Sequence, residues 1–279
     1  MSRAILVDTT QCIGCGACVA ACKVVNDLPL DDPDVTRQPS ADSLSESDLV
    51  TFAQSRGEPG GRLSATTLNI IETQGGVVVR RFCMHCQDPT CASVCPVGAF
   101  QKTASGPVVY DADRCMGCRY CMMACPFSIP RYEWSAVLPK VSKCTMCAPR
   151  QAKGLQPACT AVCPVQAAIF GEREELIAEA RRRIRENPSG YVQHIYGEEE
   201  AGGTSVLYLS AVPFESLGLP VNVPRDPLPM YTYRVLSKIP TLVGLGSVLL
   251  GGIWWITNRR DEVARAEAGP SEAPEWDGS

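Results

Sequence analysis

The chain has 279 residues, room for one large domain or two modest ones. Apolar residues at 45% and charged residues at 20% exclude wholesale disorder, and a net charge of −4 offers no basic excess for nucleic acid. Two histidines, His85 and His194, exclude a site of many imidazoles, whereas sixteen cysteines in so long a chain exceed any need for disulfide stapling.

From the N-terminus, Ala4–Asp8 (AILVD) reads as a strand leading to Cys12, Cys15, Cys18 and Cys22. Residues 31–62, rich in Pro, Ser, Asp and Gly, read as an inserted surface loop. LNIIET, Gln74-Gly75-Gly76 and VVVRRF read as a hairpin into Cys83, Cys86, Cys91 and Cys95. A second hairpin turns around Ser105-Gly106-Pro107 into strand Val108–Tyr110, ahead of Cys115, Cys118, Cys121 and Cys125. The fourth group is Cys144, Cys147, Cys159 and Cys163, its second gap widened to eleven residues, and Val165–Phe170 after it is strand-like. Glu172–Glu186 reads as a surface helix with Leu176, Ile177, Ala180 and Ile184 on one face and Glu179 four residues before Arg183. Pro213, Pro220, Pro224, Pro227 and Pro229 mark 191–238 as an extended surface segment and linker. Ile239–Thr257 is nineteen residues without a charge, about 28 Å of helix, the thickness of a bilayer core. Tyr231, Tyr233, Trp254 and Trp255 flank it as aromatic belts do, and residues 258–279 form a polar tail.

All sixteen cysteines fall in these four groups of four. The first and third have the spacing C-x2-C-x2-C-x3-C, the third with Pro126 after it, which is the bacterial ferredoxin signature. Gly14, Gly16 and Gly117 let the backbone approach inorganic sulfide. Zinc accepts two C-x2-C pairs, and the fourth group alone has the look of a zinc ribbon; the three groups beside it do not. Four ligands per cluster gives four [4Fe–4S] clusters. The last cysteine of each run serves the partner run's cluster, so the partners must be identified. The hairpin between the second and third groups, and the two strands bracketing the first and fourth, favour a nested arrangement. Cys12, Cys15, Cys18 and Cys163 then hold cluster 1, and Cys22, Cys144, Cys147 and Cys159 cluster 2. Cys83, Cys86, Cys91 and Cys125 hold cluster 3, and Cys95, Cys115, Cys118 and Cys121 cluster 4. Lys23 stands where proline would follow the first run.

The expected fold is α+β: two nested ferredoxin-like 2[4Fe–4S] units, the outer from 1–30 and 140–190, the inner from 63–139, plus one C-terminal transmembrane helix. With every thiolate committed, no iron is open to substrate. No nucleotide loop or nucleophile–base pattern is present, so the chain is expected to have no catalytic site of its own. Four clusters in sequence move single electrons, and a single span anchors them against a polytopic membrane partner. His85 reads as a solvent-facing loop residue, with cluster tuning as its alternative role, and His194 as structural.

RCMGCRYCMMACPFSIPRYEW (114–134), KCTMC (143–147), CPVQAAIFGEREELIAEARRRI (163–184) and HIYGEEEAGGTSVLYLSAVPFESLGLP (194–220) resemble the four-cluster iron–sulfur subunits of molybdopterin oxidoreductases and membrane hydrogenases. The last of these, followed by one helix, is most similar to the ferredoxin-type subunit of hydrogenase-2-type nickel–iron hydrogenases; the formate dehydrogenase β subunit is similar in layout. The resemblance implies the nested ligand scheme cysteine by cysteine. It also implies a relay from hydrogenase large and small subunits to a quinone-reactive membrane subunit, or the same relay from formate dehydrogenase. Such a protein belongs in the cytoplasmic membrane of a prokaryote, its clusters usually on the outer face. MSRAILVDTTQC has neither an apolar signal segment nor a twin arginine, so export is expected to be with a signal-bearing partner. A zinc-stabilised cysteine-rich scaffold is the alternative of another class.

Overall fold

The computed structural model describes residues 2–30, 44–57, 61–137 and 139–269. In chain order it contains β1 (Arg3–Asp8), α1 (Ala17–Val25), α2 (Glu46–Ser55), β2 (Ile70–Gln74), β3 (Val77–Arg81), α3 (Thr90–Ser93), β4 (Phe100–Lys102) and β5 (Val108–Tyr110). Then follow α4 (Tyr120–Ala124), β6 (Arg131–Tyr132), β7 (Val141–Ser142), α5 (Ala148–Ala152), α6 (Ala158–Ala161), β8 (Ala168–Glu172), α7 (Arg173–Glu186), β9 (Val206–Leu209), α8 (Leu228–Leu236) and α9 (Ile239–Glu267). Met1–Pro229 packs as one compact unit and Met230–Ser279 as another.

The largest sheet has the order β8-β1-β9. β1 pairs antiparallel with β8, Ile5 opposite Phe170, so the strands bracketing the first and fourth cysteine groups meet as expected. Its four apolar residues run without alternation because both faces of the strand are covered. Ala4 and Leu6 pack with Leu176, Ile177, Ala180 and Ile184 of α7, the face read from the sequence. Ile5 and Val7 face the cysteines, Phe82 and Tyr208.

β9 corrects the linker reading of 191–238. Val206–Leu209 is fully buried and pairs parallel with β1, Ile5 opposite Val206, and Tyr196, Phe214, Leu217 and Leu219 are buried around it. Four residues between glycines and prolines carry little periodicity, and a parallel partner requires a distant crossover that local pattern does not reveal. The surface-loop reading of 31–62 is corrected in part. Ser45 caps α2 by accepting from the Asp48 N–H, and Leu49 and Ala53 bury against Ala17, Ala20 and Val24 of α1. Residues 31–43 and 58–60 lie outside the described residues.

At the C-terminal end of the central strand β1, the buried Asp8 carboxylate accepts from Arg183 Nη1 (2.9 Å), Tyr191 Oη (2.8 Å) and Thr10 Oγ1 (2.6 Å). Arg183→Ala leaves this carboxylate without its cation, a loss of about 3 kcal/mol. For a unit of this size, thermal unfolding is expected to fall by roughly 6–12 °C.

The β2–β3 hairpin turns through Gly75 and Gly76, both at positive φ (56° and 81°), as a two-residue turn with matched twist requires. The β4–β5 hairpin forms as read. It docks on the main sheet through Arg3 N–H to Ser105 O (2.9 Å). Gly106 has φ 117°, and a Cβ there would overlap the Arg3 carbonyl oxygen. Gly106→Ala is therefore expected to cost about 2 kcal/mol, read as a lower unfolding temperature.

In the second unit, α9 continues ten residues past the apolar stretch, so the start of the expected polar tail is helical, with Asn258 donating to Glu262 (2.9 Å). No residue of α9 is buried, and the α8–α9 segment Leu228–Glu267 is long and apolar enough to cross a membrane.

Candidate metal centres

Each cysteine group begins with a C-x2-C loop, and the residue before the second cysteine is left-handed in all four: Gly14 (φ 71°), His85 (φ 50°), Gly117 (φ 73°) and Met146 (φ 53°). Glycine takes this conformation freely, but His85 and Met146 hold it against a cost of about 1 kcal/mol or more. Repetition at one position across four loops marks a shared job of wrapping the backbone around a guest. Backbone N–H groups also point at sulfur: Ala99 to Cys95 Sγ (3.2 Å), Met146 to Cys144 Sγ (3.3 Å) and Gly117 to Cys115 Sγ (3.4 Å).

The fold gathers the thiols into sets that cross the sequence groups. One cavity is lined by Cys12, Cys15, Cys18 and Cys163, together with Cys159. A second is lined by Cys22, Cys144, Cys147 and Cys159. A third is lined by Cys83, Cys86, Cys91 and Cys125. Cys95 and Cys115 pack beside Cys121 with Phe100, Val108 and Val141, and Cys118 is close enough to act on Cys121 electrostatically. Among the described residues no three His, Cys, Asp or Glu side chains converge on a point that would hold one metal ion. The thiols instead stand around cavities, and Cys163 shares the first of them with Cys12, Cys15 and Cys18, Cys159 being the one other cysteine of its group there.

Burial pushes the Cys18 and Cys121 thiols up to about 11 and Cys22 well above the ordinary range. Such thiolates need a metal to carry their charge. Adjacent sets are close enough for their charges to interact: Cys18 of the first with Cys159 of the second, Cys144 of the second with Cys83 of the third, Cys91 of the third with Cys121 of the fourth. The thiol sets therefore neighbour one another in that order.

Three features escaped the sequence reading. Arg80, on β3, reaches the walls of both the first and second cavities. Lys143, next to Cys144, is buried at the third cavity and donates to Val108 O (2.5 Å) and Cys144 O (2.9 Å). His85 is fully buried, correcting its reading as a solvent-facing residue; its Nδ1 accepts from Val108 N–H (2.9 Å). Burial first, and Lys143 and Lys102 second, hold His85 well below the usual imidazole range, so it is neutral. No pattern signals these roles, because each arises where distant segments meet. His194 has a structural contact, Nε2 to Glu200 Oε1 at 2.6 Å.

Two family models, each described as a 4Fe-4S dicluster domain, match residues 11–99 and 76–173. A protein of Nitratidesulfovibrio vulgaris is 40% identical over 95% of this chain and 70% of its own length. The hydrogenase-2 operon protein HybA of Escherichia coli is 38% identical over 78% of this chain and 73% of its own. The formate dehydrogenase-O iron–sulfur subunit of Escherichia coli is 35% identical over 92% and 85%. The chain belongs to the family of ferredoxin-type iron–sulfur proteins that includes HybA and the formate dehydrogenase iron–sulfur subunits.

Proposed function

We propose that the chain holds four [4Fe–4S] clusters in the nested ligand sets and relays single electrons between a catalytic oxidoreductase, foremost a nickel–iron hydrogenase, and a quinone-reactive membrane subunit. The observation that supports this reading is that three thiol-lined cavities each hold the last cysteine of one run beside cysteines of another: Cys163 with the first group, Cys22 with the fourth and Cys125 with the second. The outer ferredoxin-like unit is then 1–30 with 140–190, and the inner 63–139. When bound, a [4Fe–4S] cluster supplies a one-electron carrier.

The chain's own residues do the rest. Cysteine thiolates fix position. Val7, Ile71 and Ala168 wall the first site with apolar surface, and Phe127 and Ile129 the third. Arg80 and Lys143 put positive charge beside sites that carry net negative charge, and N–H groups on sulfur stabilise it further. With every cysteine committed to a cluster, this reading gives the chain an electron-transfer role without a catalytic site of its own. Exposed Ile13 at the first site, and exposed Met116, Tyr120 and Met123 at the fourth, leave both ends of the series open to redox partners. In this reading α9 anchors the chain as a single span, and the cluster-bearing unit sits on the outer face after export with a signal-bearing partner.

Identity to formate dehydrogenase subunits favours a second reading in which formate is the donor. The complex purified anaerobically through a tag on this chain is expected to reduce a quinone analogue with hydrogen. Reduction with formate alone transfers the relay to a dehydrogenase. An intact complex active with neither overturns both donors.

A further inference from the structure

The geometry points to Arg80 as a shared electrostatic bridge between the first two sites, a positioning residue that raises the reduction potentials of both. This rests on the ligand sets proposed above. Apart from Cys159, Arg80 is the one residue lining both cavities. It is 3% exposed. Arg80 Nε donates to Asn69 Oδ1 (2.7 Å), and Asn69 Nδ2 donates to Cys18 O (2.9 Å), tying the guanidinium to the loop of the first site. The guanidinium carbon lies 3.9 Å from the Phe82 ring centroid, and the Arg80 backbone oxygen accepts from the Tyr208 hydroxyl (2.6 Å). The side chain is therefore clamped at both its base and its head.

What it lacks is a counter-ion of the ordinary kind. Among the described residues no carboxylate pairs with Arg80, and its Nη1 has no hydrogen-bond partner. The next residue shows the contrast: Arg81 pairs with Glu72 at 2.6 Å. A buried guanidinium without a carboxylate is strongly unfavourable unless other negative charge faces it. The negative charge available to face it is that of the two ligand sets, whose cysteines line the cavities it reaches, Cys18 in the first and Cys159 in both. Arginine keeps its charge at any working pH. Arg80 thus lowers the electrostatic cost of the one electron that either site takes up, with no bond formed or broken and no proton moved. Because it faces both sites, it raises both potentials together and keeps an electron from being trapped on one of them.

The test is a mediated redox titration followed by EPR, on the full chain in its complex, for wild type, Arg80→Met and Arg80→Lys. Signals of the first two sites are assigned by their loss in Cys163→Ser and Cys144→Ser. In Arg80→Met carrying its full iron and sulfide, those two potentials are expected to fall while the other two stay. Arg80→Lys, which keeps the charge but loses the planar fork, is expected to shift the same two by less. If Arg80→Met does not load, Arg80→Lys decides: the two-site shift supports the bridge and its absence overturns it. Four unmoved potentials, or an equal shift of all four, in a loaded Arg80→Met chain overturns it as well. A wild-type chain with less iron than four clusters need overturns the ligand sets themselves, and the bridge with them.

Discussion

Cys163→Ser is expected to abolish the cluster of the first site, with Cys12, Cys15 and Cys18, and to leave the site of Cys144, Cys147 and Cys159 loaded. Cys163 is the last member of the fourth sequence group, but it lines the cavity of the first. The loss comes to about four of about sixteen irons per chain, since each cluster holds four. Cys22→Ser, at the end of the first sequence group, is expected to act in the reciprocal way on the second site. Iron content and EPR of the two variants, purified anaerobically, check both statements. A fourth group acting alone as a zinc ribbon would release zinc on Cys163→Ser with no change in iron. Sequential pairing of the runs would instead remove a signal belonging to the third group.

Val248→Arg is expected to move most of the chain from the membrane fraction to the soluble fraction with its cluster absorbance intact. Nine aliphatic residues in 239–257 each favour insertion by about 0.3–0.6 kcal/mol, roughly 3–5 kcal/mol together. An arginine near the middle of that stretch costs about 2.5–3.5 kcal/mol, removing most of the advantage. The clusters are expected to survive because every cysteine lies within the Met1–Pro229 unit, which has its own core. A chain ending at Pro229 should behave the same way. Fractionation followed by absorbance of the soluble pool is the measurement. Retention of Val248→Arg in the membrane would point to partner subunits, rather than α9, as the anchor.

Much of this was legible from spacing. The C-x2-C-x2-C-x3-C runs, the two hairpins, the pairing of β1 with β8 and the apolar face of α7 all follow from periodicity or ligand geometry. The parts that were not legible share one cause, dependence on contacts between remote segments. β9 is buried only because β1 offers its free edge about two hundred residues earlier. His85 looked like a solvated loop residue, yet the β4–β5 hairpin closes over it. Arg80 and Arg81 are identical in sequence terms, and only the pleat of β3 decides which enters the interior. Met146 shows no glycine to announce its left-handed backbone, although its position before a second cysteine matches Gly14 and Gly117.

The most direct test of the account is the metal content of the full chain, purified anaerobically and analysed for iron, acid-labile sulfide and zinc, with EPR integration after reduction. The account predicts about sixteen irons and as many sulfides per chain, no stoichiometric zinc, and reducible spins from four sites. Stoichiometric zinc, or iron for only two or three clusters in a fully folded chain, would contradict it.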